Sequence, residues 1–414
     1  MVTKTGITAT LDRFRLARAG LAAMLLLLLG ACGGHDARPA QPAMPFYAEV
    51  LRPKILASIS KNDVPGAVVV VKSAQGNWTE AFGKRSRDGS DDVKPADYFR
   101  IGSITKTWTG TVILQLAEQG RLKLEDPISA YQPGVPNGDR ITIEMLLSMR
   151  SGLFNYTEDP GFIATIDSQP QKIFTNEEIL EIAFSHKPLF DPGLKFYYSN
   201  TNTFLLGLVI EKLTGTNIRE QFNARLFKPV GLAGIFMPDA ADTRLPSPYV
   251  RGYQYGTNQQ NADAELMQRA EREALARGAS MLMDQTDAST SWARASGMGI
   301  STAEDLARFA QALVDGAYLG RELQQRRLAS CLPTDPANNS PYALRYGWGI
   351  GKLGNFYGHN GQIPGYNTVM LHDPAHGTTV VVLTSLSVAK GDIAPGDEIA
   401  QLIIEHFDAG LQRQ

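Results

Sequence analysis

A serine and a lysine three residues apart, Ser103 and Lys106, are the residues whose types and spacing most directly suggest chemistry in this chain. Positions three apart lie on the same face of a helix, so the hydroxyl and the amine can meet there. A serine hydroxyl is a weak nucleophile at neutral pH, but a desolvated lysine with a lowered pKa can accept its proton. The pair therefore predicts an activated serine nucleophile.

The sequence around this pair distinguishes it from two other copies of the same spacing, at Ser58 and Ser387, each followed by a lysine three residues on. Apolar residues recur at three- and four-residue intervals after Ser103 and stop at Gly120, which predicts a helix with Ser103 in its first turn. Backbone N–H groups and the positive end of the helix dipole favour negative charge that develops near such a serine. The other two copies are predicted to be surface turns, each with an exposed serine and a solvated lysine.

A second motif is Tyr198-Ser199-Asn200, the only Tyr-x-Asn in the sequence, which precedes an apolar-periodic helix. Such a turn can point both side chains into a cleft. A phenol flanked by ammonium groups is stabilised as phenolate and can take the serine proton, while the Asn amide can hold a substrate amide. The alternative is that both side chains only pack and cap the helix.

A third motif is His359-Asn360-Gly361, the only His-x-Gly, which is followed by Gln362. Glycine at this density lets the backbone approach a ligand closely, and an edge strand here can offer a backbone N–H to an oxyanion. The alternative is a structural histidine.

Ser103-Ile-Thr-Lys106, Tyr198-Ser-Asn200 and His359-Asn-Gly361, in this order, resemble the three motifs of the serine β-lactamase and penicillin-binding-protein superfamily. Within it, the chain is most similar to the class C β-lactamase-like family around the Streptomyces-type D-alanyl-D-alanine carboxypeptidase. Supporting matches run from about residue 46 to 407 and include the segments 146–153 and 299–306.

The resemblance implies acylation of Ser103, with Lys106 and Tyr198 sharing the role of base. It implies that His359 orients Tyr198 and supplies positive potential, and that the oxyanion lies between the N–H groups of Ser103 and Gln362. Trp292 would line the cleft opposite the third-motif strand. No metal or other cofactor is implied. The residues implied in substrate binding are Asn200, Trp292, Asn360, Gly361 and Gln362.

The third motif also departs from this relative. Asn360 and Gln362 stand where the carboxypeptidase has hydroxyl residues that help to bind the substrate carboxylate. Carboxylate recognition is therefore left open by the sequence.

The leading functional prediction is an envelope serine hydrolase, D-alanyl-D-alanine carboxypeptidase-like, acting on peptidoglycan-type peptides and acylated by β-lactams. The alternatives are an esterase or D-amino-acid amidase of the same family, and a catalytically weak penicillin-binding or scaffold protein. A net charge of -2 does not favour nucleic acid as a partner. The chain has no His-Glu-x-x-His zinc motif and no Gly-x-Ser-x-Gly elbow.

Strand patterns at both ends of the chain flank a helical middle, which predicts an α+β fold. In this fold an antiparallel sheet, assembled from both chain ends and flanked by helices, carries an inserted all-helical lobe. The sheet lobe comprises 46–100 and 325–407, the helical lobe 101–324, and 408–414 form a tail. A charged helix at 263–277 is either a solvated face or a lid. Strands are predicted at 64–72, 78–84, 346–350, 367–371 and 378–384, and helices at 143–149, 177–183, 204–213, 302–314 and 398–407.

The first 31 residues read as a secretory signal, with basic residues before an apolar run that ends at Leu29. Leu29-Gly30-Ala31-Cys32 resembles a bacterial lipobox, which implies cleavage before Cys32 and lipid attachment to its thiol. A flexible tether would follow at 32–45, placing the domain outside the cytoplasm and anchored by lipid in the cell envelope. The alternative is an ordinary cleaved signal. With Cys32 lipidated, Cys331 has no intrachain disulfide partner.

Overall fold

The computed structural model describes residues 44–411 of the chain. The predicted signal segment, the lipidation site Cys32 and the tether up to residue 43 lie outside the described residues. Among the helices of the described part, none is long and apolar enough to cross a membrane.

Strands lie near both ends of the described chain and mostly helices lie between them, as predicted. The helices are α1 Phe46–Lys61, α2 Thr105–Glu118, α3 Ile143–Leu147, α4 Pro160–Ser168, α5 Asn176–Ser185, α6 Asn200–Thr214, α7 Ile218–Phe222, α8 Asn258–Ala262, α9 Ala264–Arg277, α10 Arg294–Gly297, α11 Ala303–Val314, α12 Arg321–Ala329 and α13 Pro395–Leu411. The strands are β1 Gly66–Ser73, β2 Gly76–Gly83, β3 Phe99–Gly102, β4 Ile235–Phe236, β5 Tyr253–Tyr255, β6 Leu282–Asp284, β7 Gly299–Ser301, β8 Leu332–Pro333, β9 Arg345–Tyr346, β10 Gly351–Leu353, β11 Phe356–Ile363, β12 Tyr366–Asp373 and β13 Thr378–Thr384.

The main sheet has eight strands in the order β2-β1-β13-β12-β11-β10-β9-β8. Every neighbouring pair is antiparallel, and β1 from the start of the domain pairs with β13 from its end, with Ala67 opposite Thr384. The predicted fold class, an antiparallel sheet assembled from both chain ends, is confirmed.

Helices cover both faces of this sheet. Along β1, Val69 and Val71 join the cluster beneath α1 and α13, whereas Val68 and Val70 join the larger core that also contains Trp108 of α2. Successive strand residues point to opposite faces, so a continuous valine run is the expected sequence of a strand buried on both sides.

Three details differ from the sequence prediction. The inserted lobe is mainly helical, but it also contains a three-stranded sheet, β3-β7-β4, and the paired strands β5 and β6. Helix α1 was not predicted, since it contains Pro53, a residue that normally interrupts a helix. Helix α13 continues to Leu411, beyond the predicted boundary at 407.

The serines of the two other Ser-x-x-Lys copies are buried, so the prediction that they are exposed is wrong. Ser58 lies in the last turn of α1 and donates a hydrogen bond of 2.8 Å to Glu398, whose carboxylate also pairs with Lys61. Ser387 lies after β13 and is buried against Gln254, at 3.2 Å. Each serine thus has a structural partner.

Candidate active site

Ser103 lies in the turn between β3 and α2, two residues before the helix begins, rather than in its first turn. The backbone N–H of Lys106 donates to the carbonyl oxygen of Ser103 at 2.9 Å, which closes the turn and places both side chains on one side. Gly102 has a φ of +50°, and a Cβ there would lie 2.9 Å from the backbone nitrogen of Gln362. A side chain at residue 102 would therefore push β11 away from the serine.

Lys106 has a buried amine with three partners. Its Nζ lies 2.9 Å from Ser103 Oγ, 2.7 Å from Asn200 Oδ1 and 2.7 Å from the carbonyl oxygen of Ser296. Burial lowers the pKa of Lys106 well below its ordinary value. A neutral amine has two N–H groups and one lone pair. In the neutral form the lone pair is directed at the Ser103 hydroxyl, because Asn200 Oδ1 and the Ser296 carbonyl can only accept.

Tyr198 lies just before α6, and the centre of its ring is 4.9 Å from Lys106 Nζ. Burial raises the pKa of the phenol, although the Ser103 hydroxyl acts in the opposite direction. The prediction of a phenolate is therefore wrong, since burial disfavours the charged form and outweighs the hydrogen bond with Ser103. The phenol keeps its proton at neutral pH and can donate it.

Asn200 is the first residue of α6, and its side chain joins Lys106 to the neighbouring loop. Oδ1 accepts from Lys106, and Nδ2 donates to Thr157 at 3.0 Å. A primary amide has two N–H groups, so a second donor remains for a substrate carbonyl.

His359 lies on β11 just beyond the residues that pair with β10. Its Nδ1 faces the Asn360 carbonyl oxygen, which can only accept, so Nδ1 carries the proton and Nε2 accepts from Tyr346 at 3.0 Å. Burial lowers the pKa of His359 to about 3. The predicted positive potential at His359 is therefore wrong. Its hydrogen bond goes to Tyr346 and not to Tyr198, whose ring centre is 6.1 Å away.

The rest of the third motif is held from two sides. Asn360 Nδ2 donates to both carboxylate oxygens of Asp397, at 3.1 and 3.3 Å. Gly361 is packed so closely that a Cβ would lie 2.0 Å from the Ile101 carbonyl oxygen. Sequence reasoning missed Asp397 and Tyr346, because Asp397 is one of several acidic residues near α13 and Tyr346 carries only a strand signal.

Two cavities meet at Ser103. The smaller, of about 230 Å³, is polar and has Trp292 on its wall together with Pro364, which follows β11. The larger, of about 570 Å³, is lined by Tyr198 and His359 among others. Ser103, Asn200 and Gln362 line both. The three predicted motifs and Trp292 thus surround one cleft.

No group of three or more His, Cys, Asp and Glu residues that could hold a metal ion is found in the described part of the chain.

A family model described as "Beta-lactamase" matches residues 51–402, which include all three motifs. This chain belongs to the beta-lactamase family. A relative within it is "Penicillin-binding protein 4*" of Bacillus subtilis (strain 168). The two are 24% identical over 337 residues, which cover 78% of this chain and 69% of the relative.

Solved structures with the same fold include a D-stereospecific amidohydrolase and a D-amino acid amidase. The D-stereospecific amidohydrolase from Streptomyces sp. is 28% identical, with a TM-score of 0.71, covering 86% of this chain and 97% of that one. The D-amino acid amidase from Ochrobactrum anthropi SV3 is 22% identical, with a TM-score of 0.70 over 87% and 99% of the two chains, and shows the shared fold. This beta-lactamase-family protein is a serine hydrolase that acts by acyl transfer.

Proposed function

We propose that this protein hydrolyses amide or ester bonds of peptide-like substrates through an acyl-enzyme on Ser103. The observation that carries the proposal is the buried amine of Lys106, which lies 2.9 Å from Ser103 Oγ and whose pKa is lowered by burial. A general base must lie within hydrogen-bonding distance of the proton that it removes. Lys106 Nζ already lies at this distance from the Ser103 hydroxyl.

Acylation begins when Ser103 Oγ attacks the substrate carbonyl carbon, forming a C–O bond while its proton passes to Lys106. The backbone N–H groups of Ser103 and Gln362 stabilise the oxyanion, an interaction worth about 3 kcal/mol per donor. As the C–N or C–O bond to the leaving group breaks, the Tyr198 hydroxyl donates a proton to that group and is reprotonated from Lys106. Water then attacks the acyl-enzyme and gives a proton to Lys106. As the bond between the acyl carbon and Ser103 Oγ breaks, Lys106 returns this proton to Oγ and the acid leaves.

The acyl part of the substrate lies along Asn200 and the smaller cavity. The second N–H of Asn200 Nδ2 donates to an amide carbonyl of the acyl group. Trp292 supplies an apolar wall opposite the end of β11. This arrangement suits an acyl group that is itself peptide-like.

Two substrate types fit this machinery. A D-alanyl-D-alanine carboxypeptidase-like activity is supported by the penicillin-binding relative, and a D-amino-acid amidase activity by the names of the structural neighbours. An esterase with the same residues is the remaining alternative. β-Lactams are expected to acylate Ser103 in either case. Lipid anchoring through Cys32 in the cell envelope is part of the proposal and is supported by the lipobox-like sequence alone.

Labelling with a fluorescent penicillin and a fluorophosphonate tests the proposal. Wild type should be labelled and Ser103→Ala should not, whereas Ser58→Ala, a serine of another Ser-x-x-Lys copy, should be labelled like wild type. Absence of Ser103-dependent labelling by either probe would overturn the proposal. Labelling by penicillin without turnover of any ester or peptide would instead identify a weakly catalytic penicillin-binding protein.

A further inference from the structure

The larger of the two cavities at Ser103 has one polar wall and one apolar wall. Asn360 of the third motif and Asp397 of α13 form the polar wall. The apolar wall lies between α13 and the strands β10 to β12, and a volume of about 570 Å³ accommodates a group of drug-like size. The apolar side chains of this wall include Leu353, Val369, Leu371 and Ile404.

This cavity lies on the leaving-group side of the serine, an assignment that rests on the proposed function. The leaving atom must come within hydrogen-bonding distance of its proton donor. Tyr198, the proposed donor, lines the larger cavity and not the smaller one. The leaving group therefore extends past Tyr198 toward Asp397.

The Asp397 carboxyl group is held in place by amides. Both of its oxygens accept from Asn360 Nδ2, and Oδ2 also accepts from Asn367 Nδ2 at 3.2 Å. Among the residues that the structure describes, no Lys, Arg or His forms an ion pair with it, and burial raises its pKa. Asn360 Nδ2 thus already donates to Asp397. A substrate carboxylate at this position would need the same donor.

The two lysines near the cavity do not offset this acid. Lys106 Nζ already contacts Asn200 Oδ1, the Ser296 carbonyl oxygen and Ser103 Oγ. Lys352 contributes to the lining, but its Nζ lies 4.9 Å above the ring of Tyr357. Lys352 is paired with Tyr357 across strands β10 and β11, so both side chains lie on one face and the ammonium packs against that ring. In the part of the chain that the structure describes, a carboxylate that extends toward Asn360 therefore meets Asp397, while Lys106 and Lys352 both contact other groups.

We infer that Asp397 makes this enzyme select uncharged, apolar leaving groups and reject leaving groups that carry a carboxylate. The preferred bonds are then neutral amides and esters, and the carboxy-terminal peptide bond of a D-alanyl-D-alanine peptide is a poor substrate. The apolar wall formed with α13 favours the binding of a bulky hydrocarbon leaving group.

Two thioesters with the same acyl group test the inference, benzoylglycyl thioglycolate and benzoylglycyl thioglycolamide. The achiral acyl group removes any dependence on stereochemistry, and only the terminal carboxylate or amide differs. Attack by Ser103 forms the ester C–O bond, breaks the C–S bond and releases a thiol that takes up the proton. Thiol release, and protection of Ser103 from fluorophosphonate labelling, are measured at pH 8 to favour the ionised form of both carboxyl groups.

Wild type should react with the amide at least about tenfold faster than with the carboxylate, as expected for like charges facing each other at an effective dielectric constant of about 20. Asp397→Asn should reduce this ratio about tenfold. Glu405→Gln is the matched control, because it removes a negative charge from an exposed position on the same helix and should leave the ratio unchanged.

Equal rates for the two thioesters in wild type, or an unchanged ratio in Asp397→Asn, would overturn the inference. The inference would also be overturned if fluorophosphonate labels Ser103 but the neutral thioester neither reacts nor protects this serine from labelling. Loss of fluorophosphonate labelling itself would overturn the proposed function instead.

Discussion

The Tyr346 hydroxyl donates a hydrogen bond to Nε2 of His359 across 3.0 Å, inside an aromatic cluster against Tyr198. The Tyr346 ring meets those of Tyr198 and His359 edge to face, with centres 6.1 and 5.5 Å apart. His359 therefore acts on the candidate proton donor through packing and through a fixed tautomer, since it carries no charge at neutral pH.

Tyr346→Phe should keep the aromatic packing but leave Nε2 of the buried His359 without a donor. We expect a loss of about 1 to 3 kcal/mol in the free energy of unfolding, measured by urea denaturation, because an unpaired buried acceptor loses its solvation. The turnover number for an ester substrate should fall more than the Michaelis constant changes. Tyr357→Phe, on the same strand as His359, is the control and should lose less than about 0.5 kcal/mol. Equal stability of the two variants would contradict the assigned hydrogen bond.

Lys106→Met should slow the acylation of Ser103, with a decrease of about 100-fold or more in the rate of labelling, since general base catalysis is lost. It should also change how stability depends on pH. The unfolded lysine titrates at its ordinary pKa of 10.5, whereas the folded pKa is well below this, so the unfolded state binds more protons between the two values.

Wild type should consequently gain stability as the pH rises toward 10.5, and this gain should be missing in Lys106→Met. Urea unfolding at a series of pH values measures it. Parallel curves for the two proteins would show that the buried amine is charged.

Acid should destabilise the protein through His359. Its pKa falls from the ordinary 6.5 to about 3 in the folded state, so the unfolded state binds the extra proton in this interval. The contribution of His359 to stability is complete above pH 6.5 and decreases as the pH falls toward 3, by up to about 5 kcal/mol. His359→Gln should show a shallower loss of stability over the same pH range. An equally steep loss in the variant would rule out a buried neutral histidine.

Gly361→Ala should disrupt the contact between β11 and β3, since the added Cβ would lie 2.0 Å from the Ile101 carbonyl oxygen. We expect a loss of more than about 3 kcal/mol in unfolding free energy, together with loss of Ser103 labelling. Gly134→Ala provides the control, with a φ of +79° and open space around it, and should cost about 1 kcal/mol. A fully active Gly361→Ala variant would contradict the close contact between β11 and β3.

Cys32→Ala should release the protein from membranes when it is expressed in a bacterial host with a lipoprotein pathway. Wild type should partition into detergent and carry the added mass of a lipid, while the variant should remain in the aqueous fraction. Identical partitioning of the two proteins would contradict lipid anchoring through this thiol.

Much of the fold could be predicted because its signals are local. The valine run of β1 and the hairpin to β2 follow from residue types that favour strands, and α2 follows from apolar spacing that ends at Gly120. The three motifs depend on neighbours three or fewer residues apart, so Ser103, Tyr198 and His359 could be chosen without knowing the fold. Helix α1 was missed because Pro53 contradicts its local pattern.

The tertiary structure decided which of these groups are charged and what they contact. Asp397 meets Asn360 across 37 residues of sequence, and Asn200 meets Lys106 across 94, separations that no local pattern encodes. The sequence by itself determined the reacting groups and most of the elements that carry them. Burial determined that the pKa of Lys106 falls, that His359 is neutral and that Tyr198 keeps its proton, because desolvation of an ionisable group depends on everything packed around it.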